Sequence, residues 1–383
     1  MHTLLRNVDV RTSTGDERLL SVTKAKGVVP RDQITDEPPR AESLIGYKRC
    51  KRGDLVVNQM SAYDGLMGVA PCDGIVTYHY LVFRPIADVS TQFLALLLSS
   101  DVYRQDFRRR VRGLGEALQA NVRTPHIRIE DFLHTVAALP PRALQDEIAA
   151  SVLKAREEIY AEIGNRKKMV ARLEAILDAV VAEEMARTDA QPTPFKYLFK
   201  RRRETPLPGD ETVTAFRDGQ VTLRSRRRTD GFTEAVHEHG YQRVAEGDLV
   251  VSSMDGFAGA IGVAEASGKC TPAYHIWLPT SFMSPAFATI ALRLLARSGY
   301  LESLAKGIRT RSSSFDANTL ANLKIPAPPP EVQQEIERRV ESVRASVRGS
   351  QSAIGKQIRL LRATDRSLHH AHVTGQLRSA AGE

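Results

Sequence analysis

His369, His370 and His372 are the densest set of metal-capable side chains in the sequence, and Ser312, Ser313 and Ser314 the densest run of hydroxyls. Neither set carries chemistry. A metal site needs ligands converging from several places, and no cysteine pair or carboxylate motif accompanies the histidines, which read as surface residues near a helix end. The serines lack the glycine elbow that presents a hydrolase nucleophile. No GxxxxGK[ST] loop is present to cradle a nucleotide. Cys50, Cys72 and Cys270 lie far apart without a CxxC pair, so they read as reduced thiols rather than a zinc ribbon or disulfide framework. No nuclease-type carboxylate cluster stands out either. The chemistry left is the binding of anions.

Lys plus Arg number 54 against 45 Asp plus Glu, a net charge of +9. Such a surplus favours a polyanionic partner through phosphate neutralisation and counterion release. One basic stretch contains Arg109, Arg110, Arg112 and Arg123, and a second contains Lys306, Arg309 and Arg311. Arginines and backbone amides there are candidates to grip phosphates, the alternative being an ordinary solvated helix end. A further run, Arg224, Arg226, Arg227 and Arg228, answers Lys24, Lys26 and Arg31 earlier in the chain. Tyr63 and Phe257 are candidate wedges against bases, although an aromatic ring beside a turn is more often core. Gly65, Gly68, Gly259 and Gly262 read as tight-turn positions.

The elements that must position these residues are written twice. Residues 46–85 and 240–279 match at a constant offset of 194, pairing Gly53-Asp54 with Gly247-Asp248, Met60 with Met254, Tyr63 with Phe257 and Tyr80 with Tyr274. A repeat this long fixes the architecture before any single element does. In each copy a Gly-Asp turn opens a buried strand, Leu55-Val56-Val57 or Leu249-Val250-Val251, and helical apolar segments follow near residues 93–98 and 286–295. The ends repeat as well: LPPRALQDEIAASV from residue 139 answers PPPEVQQEIERRV from residue 328, pairing Gln145 with Gln333 and Ile148 with Ile336 at an offset of 188. After each proline pair a long helix is expected. Ile148, Val152, Ala155, Ile159, Val170, Leu173, Leu177 and Val180 fall at steps of three and four, as do Ile336, Val340, Val343, Val347, Ile358, Leu361 and Leu368. That spacing predicts a coiled-coil seam between the two helices, interrupted by Arg166 and Asp365.

These stretches resemble the specificity (S, HsdS) subunits of Type I restriction-modification systems. GYKRCKRGDLVVNQMSAYDGLMGV with DGIVTYHYLVFRP resembles the core of a target-recognition domain, ALPPRALQDEI the family's helix start, and RSLHHAHVTGQL the end of its second helix. The resemblance spans nearly the whole chain. It implies an α+β chain of two α/β target-recognition domains in tandem, each followed by a long helix, the helices pairing as an antiparallel coiled coil. The expected divisions are recognition domains at 1–140 and 188–328, helical spacers at 141–187 and 329–375, and a tail at 376–383.

By the same resemblance the chain is a non-catalytic DNA reader. It binds double-stranded DNA and two adenine-N6 methyltransferase subunits, and recruits restriction and translocase subunits. S-adenosylmethionine, ATP and Mg²⁺ then belong to those partners. No Asn-Pro-Pro-Tyr methyltransferase motif occurs here. The expected place is the cytoplasm, because no secretory h-region and no membrane-length apolar run is found. From Ile148 to Val180 a helix rises about 48 Å, the length of roughly 14 base pairs, so the rods are expected to set the gap in a split target. A stand-alone repressor or a coiled-coil scaffold is the competing reading.

Overall fold

Apolar runs bounded by glycine turns become short strands. In the first unit these are β1 (Leu5–Asn7), β2 (Leu20–Thr23), β3 (Gly27–Pro30), β4 (Lys48–Cys50), β5 (Leu55–Asn58), β6 (Met67–Val69), β7 (Gly74–Val76) and β8 (Tyr80–Pro85). They are followed by α1 (Thr91–Leu98), α2 (Asp101–Arg110) and α3 (Ile129–Leu133), and by α4 (Arg142–Ala186), which passes into the second unit at Met169. The structure is a computed structural model that describes residues 1–39, 41–110, 126–227, 240–280, 282–304 and 316–373. It divides into Met1–Lys168 with Ile354–Glu383, and Met169–Ala353.

An antiparallel sheet of order β1-β8-β5-β6 centres the first unit, with β4 pairing β7 and β2 pairing β3 beside it. Both faces of this sheet are covered. Leu55 and Val57 meet Phe83, Leu94, Phe107 and Phe132, whereas Val56 between them meets Val28, Cys50 and Val76. Burial on both faces is why the strand is continuously apolar instead of alternating.

The second unit contains β9 (Pro192–Pro194), α5 (Phe195–Leu198), β10 (Phe199–Arg201), β11 (Val213–Ala215), β12 (Val221–Leu223) and β13 (Gln242–Val244). Next come β14 (Leu249–Ser252), β15 (Ile261–Val263), β16 (Gly268–Cys270) and β17 (Tyr274–Pro279). It continues with α6 (Pro285–Arg297), α7 (Tyr300–Leu304), α8 (Ala317–Asn322) and β18 (Lys324–Pro326), and α9 (Pro330–Val373) begins in it and passes into the first unit at Ile354. Its sheet order, β10-β17-β14-β15, is the first unit's order again. The register is the same too: Leu55 lies opposite Val69 and Phe83, and Leu249 opposite Val263 and Trp277.

Helices α4 and α9 run to 45 and 44 residues. They pack together, and within each unit they run antiparallel. In the first unit Ala149 and Val152 share a cluster with Val373, while Arg156 pairs with Asp365 at 3.0 Å. In the second, Glu174 meets Gln351 at 3.2 Å and Glu184 meets Arg339 at 3.4 Å, so partner numbers fall as α4 advances. The seam differs in detail from the expected spacing. Ile159 and Val180 are only half-buried, whereas Ile163, Val181 and Met185 are buried. The helices serve the sheets as well as each other: Ala149 and Val152 pack on Phe93, Leu96 and Leu97 of α1, and Val181 and Met185 share a core with Phe195 and Trp277. Asp365 is accommodated within the seam, its carboxylate accepting from the Arg156 guanidinium and, at 3.2 Å, from the Tyr160 hydroxyl.

Each helix start is tied to its neighbour by the glutamine of the repeated proline motif. Buried Gln145 accepts from the Ser90 N–H (2.9 Å) and donates to the Pro140 carbonyl (2.8 Å). Buried Gln333 accepts from the Ser284 N–H (2.8 Å) and donates to the carbonyls of Pro328 (2.7 Å) and Phe282 (3.1 Å). Ser90 and Ser284 are themselves the capping residues of α1 and α6. One carboxamide thus fixes two helix beginnings, and Gln suits the task because it offers a donor and an acceptor together.

Candidate nucleic-acid interface

The sheet of each unit carries a hairpin, β2–β3 or β11–β12, on which basic residues stand. The hairpins lie so close to the sheet that only glycine fits beneath them. A Cβ on Gly68 would come within 2.8 Å of the Val28 nitrogen, and one on Gly262 within 2.0 Å of the Gly219 carbonyl oxygen. Both glycines lie inside strands, β6 and β15, so they are close-approach positions and not the turn positions expected. Gly65 and Gly259 do end turns, with φ of 80° and 94°.

Lys24 and Lys26 are exposed at the turn of the first hairpin, and Arg156 of α4 donates to the Lys24 carbonyl at 3.2 Å. In the second unit Arg226 is exposed. Arg224 donates to the Thr214 hydroxyl at 3.3 Å. Arg227 lies 4.1 Å from the centre of the Phe216 ring and pairs with Asp218 at 2.9 Å. Burial would raise the Asp218 carboxyl, but hydrogen bonds from Arg227 and from the Gln220 N–H outweigh it and hold the carboxyl below its usual range.

Helix α2 ends in arginines with different duties. Arg108 pairs with Asp64 at 3.1 Å. Arg110 pairs with Asp106 at 2.6 Å and donates to the Asp131 carbonyl, holding α2 to α3. Arg109 is exposed, on the wall of a surface cavity of about 670 Å³ that Asp101, Tyr103 and His370 also line. Of this pair, Arg109 is presented outward and Arg110 is drawn into the fold. Tyr63 and Phe257 sit on single 3-10 turns and pack against the two cores. Arg112, Arg123, Arg228, Lys306, Arg309 and Arg311 lie outside the described residues.

The histidines near the end of α9 make separate hydrogen bonds. His369 Nε2 lies 2.7 Å from the Leu96 carbonyl, and His372 Nδ1 lies 3.0 Å from the Leu368 carbonyl of its own helix. Burial, reinforced by nearby Arg156, pushes His369 below the usual histidine range. Burial also pushes the thiols of Cys50 and Cys270 up to about 12, which makes them packing groups and not nucleophiles. Among the described residues no three His, Cys, Asp or Glu side chains form a group that could hold a metal, and no helix is long and apolar enough to cross a membrane.

Basic counting missed two neighbouring turns in the first unit. Thr77–Tyr80 is closed by the Tyr80 N–H to the Thr77 carbonyl (3.0 Å), and its middle residues, Tyr78 and His79, are exposed. Their rings lie 4.1 Å apart, tilted by 46°. The Gln59 N–H donates to the His79 carbonyl (3.1 Å), and the Ile127 N–H donates to the Gln59 carbonyl (3.0 Å). The available signal was the repeat itself, which leaves Thr77 and Tyr80 matched to Thr271 and Tyr274 but changes both residues between them.

No protein-family model matches the sequence, and no curated protein matches it. Solved structures do. A chain from a structure described as the "structural basis underlying complex assembly and conformational transition of the type I R-M system" aligns at 15% identity and a TM-score of 0.64, covering 96% of this chain and 97% of that one. The HsdS subunit from Thermoanaerobacter tengcongensis aligns at 15% identity and 0.42, covering 97% of both chains. The type I restriction-modification S subunit from M. genitalium aligns at 12% and 0.37, covering 96% of this chain and 95% of that one. The first of these alignments shows a shared fold: over 96% of its length this chain is built like a chain of a type I restriction-modification system.

Proposed function

We propose that this chain is the DNA-sequence specificity subunit of a type I restriction-modification complex, a reader with no catalytic site of its own. The observation that carries the reading is the duplicated architecture, two sheets of one strand order and register, each followed by a helix of more than 40 residues. Its likeness to the type I system chain extends over both copies. Two similar readers in one chain suit a target of two specified halves around an unspecified gap. Residues 1–140 and 188–328 would be the readers, with 141–187 and 329–375 as the helical spacers.

Arg109, Arg226, Lys24 and Lys26, exposed and basic, are proposed to neutralise phosphates, alongside Arg112, Arg123, Arg228, Lys306, Arg309 and Arg311. Arg110, Arg224 and Arg227, already engaged within the fold, would shape the surface more than contact DNA. Tyr63 and Phe257 would act from beneath it, as core. The reaction would be supplied by partners: two adenine-N6 methyltransferase subunits with S-adenosylmethionine, and restriction-translocase subunits with ATP and Mg²⁺, in the cytoplasm. The methyltransferase would flip the target adenine from the stack, which only a bound, addressed complex can do selectively.

The test is co-expression with the neighbouring methyltransferase gene in a methylation-free host, mapping N6-methyladenine across the genome. Methylation at one split motif is expected. An assembled complex that leaves the genome unmethylated, or that methylates without a split motif, overturns the reading in favour of a stand-alone repressor or a scaffold.

A further inference from the structure

The two units keep one frame at the junction of β5 and β8 and change what that frame displays. Asn58 lies opposite Tyr80, and Ser252 opposite Tyr274. The Gln59 N–H meets the His79 carbonyl at 3.1 Å, and the Ser253 N–H meets the Ala273 carbonyl at 2.8 Å. Each second turn closes between a threonine and a tyrosine, Thr77 with Tyr80 (3.0 Å) and Thr271 with Tyr274 (3.2 Å). The turns that follow β5 and β14 differ in detail: Asn58 Oδ1 accepts from the Met60 N–H, whereas the Ser252 hydroxyl accepts from the Asp255 N–H, one residue further along the repeat. Within this common lacing, Gln59, Tyr78 and His79 stand where the second unit has Ser253, Pro272 and Ala273.

A difference at these three positions is not needed by the strand junction, because both sets sit on the same two backbone hydrogen bonds, Gln59 to His79 and Tyr80 to Thr77 in one unit and Ser253 to Ala273 and Tyr274 to Thr271 in the other. Tyr78 is 55% exposed and His79 is exposed beside it. Desolvating two aromatic rings on contact is favourable, so leaving them at a turn in water forgoes core burial and keeps them available for a partner. The backbone beneath is fixed at three points, down to the fully buried Ile127. That presents planar groups at little entropic cost on binding. The chemistry fits bases: a carboxamide can pair with an adenine edge, and phenol and imidazole offer both hydrogen bonds and stacking faces.

We infer that Gln59, Tyr78 and His79 are base-contacting, specificity-determining residues of the first reader, acting on one half of a split DNA target. This rests on the proposed function and adds to it the surface that distinguishes one reader from the other.

The test uses the full chain co-expressed with its methyltransferase, with Tyr78→Pro and His79→Ala combined, residues that the same turn already accommodates in the second unit. Tyr78→Ala alone serves as a second variant that alters only an exposed ring. Genome-wide N6-methyladenine mapping is expected to show one half of the motif relaxed in sequence, or methylation reduced about tenfold or more as for a lost base contact. The other half should keep its sequence, and thermal unfolding of the variants should match the parent chain. Unchanged sequence and rate at both halves would overturn the inference. So would loss of the methyltransferase from the purified complex, which would make the turn a protein contact. Failure of the parent chain to direct methylation to a split motif would instead refute the proposed function, and is seen before any variant is made.

Discussion

The buried aspartates of the two Gly-Asp turns are held by arginines from different strands, which allows a rescue experiment. Asp54 is 2% exposed, and its carboxylate accepts from Arg84 of β8 at 2.9 and 2.7 Å and from the Lys51 N–H at 2.8 Å. Asp248 accepts from the Ala245 N–H at 2.8 Å and from Arg202, just past β10, at 2.7 and 3.1 Å. The repeat matches Arg84 to Leu278 and Arg202 to Val8. The cation has therefore moved to the adjacent strand while the carboxylate stayed. Arg84→Leu leaves Asp54 buried without its partner. Because the Arg84 side chain is 31% exposed, the cost belongs at the lower end of that for a broken buried pair, about 3 kcal/mol. Adding Val8→Arg builds the second unit's arrangement into the first. The double variant should recover to within about 1 kcal/mol of the parent, a coupling of roughly 3 kcal/mol. Hydrogen exchange at residues 55–58 and 80–85 reads the first unit. It should quicken roughly 150-fold in the single variant and return nearly to the parent rate in the double. Trp277, the single tryptophan, reports on the second unit and should not change. A double variant as unstable as its two single changes added would refute the idea that either strand can supply the cation.

Three other outcomes are expected. Gln333→Ala leaves the Ser284 N–H and the Pro328 carbonyl without their partner in a buried site, so urea unfolding should show a loss of about 3 kcal/mol, and Gln333→Glu, which cannot donate when ionised, should not restore it. His369 sits below its ordinary value through burial and through Arg156, opposed by its hydrogen bond to the Leu96 carbonyl and by Asp365 and Asp101, so between its ordinary value and that lowered value the unfolded chain holds a proton the folded chain lacks. Stability should therefore fall as pH drops below about 6.5, an effect that His369→Gln should abolish in melting curves taken across that range. With Cys50 and Cys270 pushed up to about 12 and buried, iodoacetamide on the native chain at pH 8 should label half-exposed Cys72 first, as read by peptide mass spectrometry.

The repeat made the architecture legible because its offset of 194 falls on strands and their opening turns, where an insertion would break the register. The hairpins were less legible. Three residues separate β2 from β3, five separate β11 from β12, and neither length disturbs the sheet beneath. The duties of the basic residues could not be read from sequence. Arg109 and Arg110 are adjacent and chemically alike, yet one faces solvent and the other is spent on Asp106 and the Asp131 carbonyl, a distinction that exists only after α2 and α3 have packed. Gly68 and Gly262 look like turn glycines in sequence for the same reason, because the hairpin that crosses them comes from another part of the chain.

The substitutions between the units are of two kinds, and the difference supports the assignment of the exposed turn. Inside the fold they compensate. Cys50 and Val76 share one core while their counterparts, Val244 and Cys270, share the other, so each core holds one cysteine and one valine at these two places. Arg84 with Val8 answers Leu278 with Arg202 in the same way, the charge beside the buried aspartate being kept. Close packing and a buried carboxylate both demand such balance. At Gln59, Tyr78 and His79 nothing is balanced. All three large polar or aromatic residues give way together to Ser253, Pro272 and Ala273, while the hydrogen bonds from 59 to 79 and from 80 to 77 recur as Ser253 to Ala273 and Tyr274 to Thr271. A solvent-facing turn has no volume to conserve, so the fold does not require the rings of Tyr78 and His79. Such an unbalanced change is what the proposed base contact of the first unit predicts.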